Sequence, residues 1–449
     1  MAAYYWHMKN TINKILPLLV LGIFLLMLLT IVKTSLFGEV EDGKHIYFEI
    51  VFLLLLAVGG QLVVAYSKQP YVMALMFLGI LISPSFMTIA FDFLHTLPLP
   101  FELPPEPPDI FKLENTIHVF AQLGAVILLF KVGLHNKIEK VFASENIMIA
   151  IAGVAVPFVV GYGYALFAGG NFAYAVFLGA ALTATSVGVT VAILKEMKLI
   201  NERFSQIIIG AAIVDDILGL LVLSLAVNIT GGGEILVPII TTLVSAIIFI
   251  GGGVLAGNYF VQYLDRKSMS DRRFMLALAF VLMYSYVAEV IGLSAIVGAF
   301  LAGVIINRSQ HISHIEERTV GLELVFMPIF FITLGILIDV NALVTYALPI
   351  LVITILAIVS KAVACTGAAL LSKLDFKQSL IVGIGMVPRG EVALIIASIG
   401  FTSGVLNSSE YSIISAMALL TTFVVPPILT KLLKEKGKIE NQTPQVSGA

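Results

Sequence analysis

The sequence predicts an all-α polytopic membrane protein, built from two inverted six-helix repeats that a single linker helix joins. Three observations lead to this fold class: the composition, the length of the apolar segments, and short motifs that recur at a fixed offset. Only 12% of the 449 residues are charged and 59% are hydrophobic, whereas soluble domains carry about 25% charged residues. This composition excludes a cytosolic enzyme, a nucleic-acid-binding protein and a disordered chain.

The apolar segments have the length of membrane-spanning helices. Each lasts about 20 residues, whereas the strands of membrane β-barrels alternate over about 10 residues. We predict 14 spans, at residues 14–37, 46–66, 71–91, 114–134, 145–168, 172–194, 204–229, 235–262, 272–291, 293–307, 318–338, 342–371, 376–400 and 409–433.

The segments outside these spans set the domain organisation. Residues 1–45 hold an extra N-terminal helix, which we expect to be retained, because its apolar stretch is longer than that of a signal peptide. Cleavage of this helix is the alternative and would leave 13 spans. The Pro-rich, acidic loop 92–113 is expected to form an extended cap, and residues 434–449 a disordered cytoplasmic tail.

The basic residues predict the orientation. With the N-terminus in the cytoplasm, 20 of the 26 Lys and Arg residues fall in cytoplasmic segments, whereas only Lys33, Lys44 and Lys112 lie outside. Such an excess marks the cytoplasmic face of a membrane protein. We therefore expect a multi-pass protein of the plasma membrane with both termini in the cytoplasm. The single cysteine, Cys365, excludes an internal disulfide.

Two pairs of motifs indicate an internal repeat. The sequence LFKVGL at 129–134 resembles FITLGI at 331–336, and LGILIS at 78–83 resembles AGVIIN at 302–307; the offsets are 202 and 224. Residues 46–229 and 272–433 then form two sets of six spans, with residues 235–262 as the linker. Because the six spans of the first set and the linker together make an odd number, the second set enters the membrane from the opposite side, which is typical of secondary transporters.

One span in each repeat has a predicted interruption. Residues 182–190 concentrate hydroxyl side chains around Gly188, and Pro388 breaks the span at 376–400 because it lacks an N–H and clashes with the preceding turn. Ser186 plus the offset of 202 gives position 388. Hydroxyls that bond back to their own helix are the alternative explanation for the first stretch. Unwound backbone at this depth is tolerated only inside protein or beside a watery cavity.

Charges within the spans are the candidate functional residues. A charge at the bilayer centre costs about 2.5–3.5 kcal/mol on insertion scales, yet Asp215 and Asp216 lie midway along residues 204–229. Carboxylates suit a small cation, and a buried carboxylate holds a proton or a metal ion but not both, which is the physical basis of exchange. Lys361 requires a carboxylate partner, for which either aspartate is a candidate, unless it snorkels to the cytoplasmic face.

The other span charges receive structural predictions. Arg389 and Glu391 flank Pro388 and are expected to pair with each other or with orphaned backbone groups. Charges nearer the span ends are expected to be solvated or to snorkel; they are Lys131, Glu289, Glu323 and Asp339.

These motifs resemble the monovalent cation:proton antiporter-2 family, and most of all its NapA-type sodium/proton antiporters. The matching stretches are Thr185-Ser186-Val187-Gly188, Val214-Asp215-Asp216, residues 298–303, residues 328–331, Lys361 and residues 385–391. The resemblance implies an NhaA-like fold, in which a core domain with two crossing broken helices moves against a dimerisation domain.

The resemblance also implies roles for residues. Asp216 would be the ion ligand and proton carrier, Asp215 would pair with Lys361, and Thr185 and Ser186 would lie near the ion. An Asp-Asp pair in this family goes with electrogenic exchange. Two departures are the extra N-terminal helix and Lys131, which stands where relatives usually have an apolar residue.

The sequence and the resemblance together predict an antiporter that exchanges cytoplasmic Na+ (or Li+) for external H+ without a cofactor, and the resemblance implies that it is a homodimer. A potassium/proton exchanger or potassium efflux protein of the same superfamily is the alternative. An intramembrane aspartyl protease is disfavoured, because such an enzyme takes its two aspartates from different helices, whereas Asp215 and Asp216 are adjacent.

Overall fold

A computed structural model of the chain describes residues 42–67, 70–98, 104, 106–108, 110, 114–136, 141–230, 236–266, 270–291 and 293–440. Within these ranges every regular element is a helix. The predicted first span, 14–37, lies outside the described residues, as do residues 441–449.

The helices of the first repeat precede a long linker helix. They are α1 (Asp42–Ser67), α2 (Tyr71–Leu81), α3 (Pro84–His95), α4 (Glu114–Gly133), α5 (Ser144–Phe167), α6 (Phe172–Thr183), α7 (Val187–Glu196) and α8 (Arg203–Thr230), followed by the linker α9 (Leu236–Asp265). The second repeat comprises α10 (Ser270–Val290), α11 (Ala295–Ile306), α12 (Ile312–Ile336), α13 (Val340–Thr345), α14 (Ala347–Leu371), α15 (Phe376–Gly385), α16 (Glu391–Thr402) and α17 (Ser408–Glu440).

The described helices confirm a polytopic all-α membrane protein. Nine helical stretches are long and apolar enough to cross a membrane, and the bent pair α2–α3, with an angle of 56°, makes a tenth. Shorter apolar helices cover residues 117–133, 295–306 and 392–401. All of them fall on spans that the hydropathy pattern predicts from residue 46 onward.

The structure differs from the predicted spans at three places. The span 71–91 is broken at Ser83, whose hydroxyl accepts a hydrogen bond from the Phe86 N–H at 3.3 Å and so caps α3. The short helix α13 precedes α14 as a separate turn, and Asp339 caps it. Asp339 is exposed, as predicted for a solvated span end. The last helix continues to Glu440 instead of ending at residue 433.

The helices pack into two bundles, and each repeat contributes to both. The scaffold bundle consists of α1, α2, α4 and α9–α12, and the core bundle consists of α5–α8 and α14–α17. The scaffold bundle is centred on α4, which packs against α11 and α12, and the core bundle is centred on α5, which packs against α6 and α14. Helix α7 of the core bundle touches α2 and α4 of the scaffold bundle.

Two glycine contacts in the scaffold bundle display the repeat. Gly79 on α2 meets Gly335 on α12, and a Cβ atom on Gly335 would lie 2.8 Å from the Gly79 Cα. Gly303 on α11 meets Gly133 on α4 in the same way, since a Cβ on Gly303 would lie 2.9 Å from the Gly133 Cα. The four glycines belong to the motifs with offsets of 202 and 224. Helices can approach this closely only where both residues lack a side chain.

The core bundle contains both predicted interruptions. Helices α6 and α7 are separated by residues 184–186, and α15 and α16 by residues 386–390. Asn171 and Asp375 begin α6 and α15 at equivalent places, each accepting a hydrogen bond from the backbone N–H three residues later. Two spans therefore end and restart at the middle of the bundle, where their backbone ends face each other.

Candidate functional site

The two broken helices cross and bind each other. The Ser186 N–H donates to the Pro388 carbonyl at 2.6 Å. The hydroxyl of Thr185 donates to the Met386 carbonyl at 3.1 Å, and that of Thr190 donates to the Gly385 carbonyl at 2.7 Å. A helix end leaves carbonyl groups without intrahelical partners. The hydroxyls of Thr185 and Thr190 therefore satisfy the end of α15 instead of bonding back to their own helix.

A buried arginine satisfies the opposite helix end. The Arg389 guanidinium donates to the Leu182 carbonyl from Nε at 3.2 Å and from Nη2 at 2.7 Å. It also donates to the carbonyls of Val387 and Ala357, each at 3.0 Å. A cation is favourable at the C-terminal end of α6 because the helix dipole is negative there. Of the two predicted arrangements for Arg389, binding to orphaned backbone groups is the one present; Glu391 is the first residue of α16.

A lysine–aspartate pair lies beside this crossing. Lys361 on α14 donates from Nζ to Asp215 Oδ1 at 2.8 Å and to the Thr183 carbonyl at 2.6 Å. Both side chains are buried, with 0% and 1% exposed, so Lys361 does not snorkel to the membrane surface. Gly153 on α5 makes room for the pair, because a Cβ there would lie 3.3 Å from Lys361 Cε.

Asp216 faces a cavity that Asp215 does not reach. This half-buried side chain lies at the inner end of a cavity of about 490 Å³. The exposed His118, Gln122 and Glu289 form the mouth of the cavity at the end of the molecule predicted to be external. Gln122 Nε2 donates to both Glu289 oxygens at 3.3 Å. Glu289 is thus a solvated span end, as predicted, but it also lines the route to Asp216.

The other side of Asp216 is nearly closed. A pocket of about 10 Å³ borders Asp216 and Thr185, with Leu129 and Phe300 among its apolar walls. This volume corresponds to about one water molecule. Gly188 lies in the first turn of α7, and a Cβ added there would lie 3.4 Å from the ring of Phe330, which lines the larger cavity. The arrangement therefore exposes Asp216 to one end of the molecule.

The structure contradicts the prediction for two other charges. Lys131 and Glu323 were expected to be solvated or snorkelling span ends, but Lys131 Nζ lies 2.9 Å from Glu323 Oε2 and both side chains are largely buried. Lys195 donates to the other Glu323 oxygen. Lys131 and Glu323 carry opposite charges on the two symmetry-related helices α4 and α12. These opposite charges are a signal for the contact, but hydropathy does not use the sign of a charge.

Comparisons with known proteins identify the class. The sequence profile described as "Sodium/hydrogen exchanger, transmembrane" matches residues 50–435. The chain therefore belongs to the sodium/hydrogen exchanger family, whose members are secondary transporters and not enzymes.

Individual relatives are similar over most of the chain. The high-affinity Na+/H+ antiporter NhaS3 of Synechocystis is 35% identical over 74% of this chain and 75% of its own length. The Na+/H+-K+ antiporter GerN of Bacillus cereus is 32% identical over 71% of this chain and 84% of its own length.

A solved structure shows the same fold. Two structures of the sodium proton antiporter MjNhaP1 from Methanocaldococcus jannaschii superpose with TM-scores of 0.59 and 0.66 at 16% and 14% identity. They cover 88% and 91% of this chain, and 98% and 100% of the MjNhaP1 chains. At this identity the likeness concerns the fold, which is the predicted NhaA-like one.

Proposed function

We propose that this protein is an electrogenic sodium/proton antiporter, which exchanges cytoplasmic Na+ (or Li+) for external H+ by alternating access to Asp216. One observation carries the proposal: Asp216 lies at the inner end of a cavity whose mouth is at the end of the molecule predicted to be external, next to a carboxylate already paired with a lysine. The names of the similar proteins, which include Na+/H+ antiporters of Synechocystis and Enterococcus hirae, support Na+ as the cation.

The chemistry of the site suits competition between a cation and protons. Carboxylate oxygens are hard ligands for a small cation. Asp216 offers such oxygens to the cavity, and Asp215 Oδ2 makes no hydrogen bond among the described residues. Thr185 and Ser186 provide further oxygens at the helix crossing. A bound Na+ requires deprotonated carboxylates, so protons that arrive from the opposite side displace it.

The lysine makes the exchange electrogenic. Lys361 balances the charge of Asp215 while the site is empty. When Na+ binds both aspartates, the pair opens, and the site releases two protons, one from the Asp216 carboxyl and one from the Lys361 ammonium. One net charge then crosses the membrane in each cycle, and its free energy changes by about 2.3 kcal/mol per 100 mV. A negative-inside membrane potential thus drives Na+ out.

Flux in proteoliposomes tests the site and the charge. We expect an imposed Na+ gradient to move protons in the wild-type protein, and Asp216→Asn to abolish this exchange. Full activity of Asp216→Asn would refute the assignment of the ion ligand. A membrane potential imposed with valinomycin should change the rate, and a rate without any response to the potential would refute electrogenic exchange.

Potassium is the second candidate cation. The similarity to GerN, which is named a Na+/H+-K+ antiporter, is the observation that favours it. Fluorescence dequenching, measured over the same range of Na+, Li+ and K+ concentrations, separates the two candidates. Half-maximal response at a lower concentration of K+ than of Na+ would assign the protein to the potassium exchangers.

The setting of the protein follows from the same proposal. We place it in the plasma membrane as a homodimer, with both termini in the cytoplasm. Labelling of single cysteines near residues 107 and 436 with an impermeant reagent on intact cells tests the orientation, because only the first should react.

A further inference from the structure

A cluster of three charges joins the two bundles. Glu323 lies on α12 of the scaffold bundle and binds Lys131 on α4 of the same bundle, with 2.9 Å between the charged atoms. Its other oxygen accepts a hydrogen bond from Lys195 on α7 of the core bundle. The carboxylate is 10% exposed, and the Lys195 side chain is 29% exposed. The cation of Lys195 is therefore the one that can reach solvent.

The neighbouring residue makes a second contact between the bundles. Both carboxylate oxygens of Glu196 lie 3.0 Å from the backbone N of Tyr71, the first residue of α2. A carboxylate is favourable at this position because the N-terminus of a helix is positive. Consecutive residues at the end of α7 thus bind α12 and α2. We call Lys195, its partner Glu323, and Glu196 the α7 clasp.

The clasp and the ion site lie at opposite ends of one short helix. The first turn of α7 follows Ser186 at the helix crossing, and its last turn carries the clasp. Ten residues of helix span about 15 Å. The clasp is at the end of the molecule predicted to be cytoplasmic, whereas the cavity of Asp216 has its mouth at the other end. A displacement of α7 therefore moves the clasp and the helix crossing together.

We propose that the α7 clasp holds the cytoplasmic side closed while Asp216 is accessible from outside, and that Lys131 makes this closure reversible. The inference rests on the proposed alternating access. Lys195, Glu196 and Glu323 are positioning residues, which bind neither cation nor proton of the transport cycle. For the site to face the cytoplasm, α7 must leave α12 and α2.

Lys131 explains how the clasp opens without a large penalty. A buried carboxylate that loses its only cation is strongly destabilising. Here Glu323 keeps Lys131 when Lys195 withdraws to solvent, because α4 and α12 belong to the same bundle. Two lysines on one carboxylate thus have opposite effects: Lys195 favours the closed cytoplasmic side, and Lys131 favours the open one. This assigns a role to the lysine that departs from the usual apolar residue.

Side-specific thiol labelling tests the proposal. In a Cys365→Ala background, Leu334→Cys places a reporter on the wall of the external cavity, and an impermeant maleimide measures its exposure from outside. We expect Lys195→Gln to slow labelling at least about threefold, because the outward-facing population falls. Lys131→Gln should leave the labelling rate unchanged or raise it. Lys195→Arg, which keeps the positive charge, should label at the wild-type rate. Equal slowing by both glutamine variants, or no change in Lys195→Gln, would overturn the proposal.

A second pair of cysteines tests the closure directly. Lys195→Cys with Glu323→Cys, joined by a short bifunctional thiol reagent, should stop exchange, and reduction should restore it. Continued exchange by fully cross-linked protein would also overturn the proposal. Labelling needs no transport, so a protein that exchanges no Na+ would still report the clasp. Failure of the flux assay with an intact labelling response would remove only the proposed function.

Discussion

Ser186 and Pro388 stand 202 positions apart in the sequence and are joined by a hydrogen bond of 2.6 Å. The two interruptions of the membrane helices are therefore in direct contact. Gly390 allows this approach, because a Cβ there would lie 2.8 Å from the Ser186 hydroxyl oxygen. Each broken helix supplies hydrogen-bond partners that the other lacks. The backbone groups at the crossing are thus satisfied within the protein, as the depth of the membrane requires.

Arg389 should be irreplaceable by lysine. Its guanidinium serves carbonyls of Leu182, Val387 and Ala357, and a single ammonium group cannot reach all of them. Because each buried carbonyl left unpaired costs about 1–3 kcal/mol, Arg389→Lys should lower the thermal midpoint in detergent markedly. The control is Arg203→Lys, which changes an exposed ion pair with Glu145 worth about 0–1 kcal/mol. Similar midpoints for the two variants would contradict this account.

Lys361 and Asp215 should show strong coupling. Lys361→Met leaves a buried, unpaired carboxylate and should cost about 3–5 kcal/mol. The double variant with Asp215→Asn removes that carboxylate charge and should recover most of the stability. It should not recover wild-type electrogenic exchange, since Na+ then has one aspartate fewer. Thermal midpoints and currents on supported membranes check both statements. A double variant no more stable than Lys361→Met would disprove the coupling.

Thr185 and Thr190 should differ in function although both bind the end of α15. Removal of either hydroxyl, in Thr185→Val or Thr190→Val, should cost about 0.5–1.5 kcal/mol of stability. Only Thr185 shares a pocket with Asp216, so only Thr185→Val should raise the KM for Na+. Titration of the exchange rate with Na+ measures this. An equal rise in KM for both variants would assign the effect to the helix crossing as a whole.

Gly335 should tolerate no side chain, whereas Gly321 on the same helix should. A Cβ on Gly335 would lie 2.8 Å from the Gly79 Cα, and one on Gly321 would meet nothing within 4 Å. We expect Gly335→Ala to destabilise the protein by about 1–3 kcal/mol. Gly321→Ala should be neutral or up to about 1 kcal/mol stabilising, because alanine favours helix. Fluorescence-detected size-exclusion chromatography after heating compares them, and a stable Gly335→Ala would refute the close approach.

The sequence reveals the features that carry a local physical cost. Pro388 cannot continue a helix, and a charge within an apolar span needs a reason, so Pro388, Asp215, Asp216 and Lys361 can be singled out without a structure. The offsets of 202 and 224 identify the repeat because glycines at the closest contacts cannot be replaced freely. These arguments need only the neighbours of each residue in the chain.

The features that the sequence does not reveal depend on which helices are adjacent. Hydropathy gives Glu323 the appearance of a solvated span end, because it lies only five positions after the predicted start of the span at 318. Its burial arises from Lys131 and Lys195 on two other helices. The break at Ser83 was missed for a different reason: the apolar residues around Pro84 outweigh the Ser-Pro signal in a hydropathy average.

The matched glycine contacts have a consequence for the direction of transport. The scaffold bundle presents similar contacts, Gly79 with Gly335 and Gly133 with Gly303, when it is turned over in the membrane. Its close packing therefore carries little information about which side is inside. That information lies in charged residues that have no charged counterpart in the other repeat. At an offset of 202, the equivalent positions hold Thr333 for Lys131, Ala397 for Lys195, Ala121 for Glu323 and Val187 for Arg389. The scaffold bundle therefore has nearly the same packing in either orientation, and a few charged side chains distinguish its cytoplasmic side from its external side.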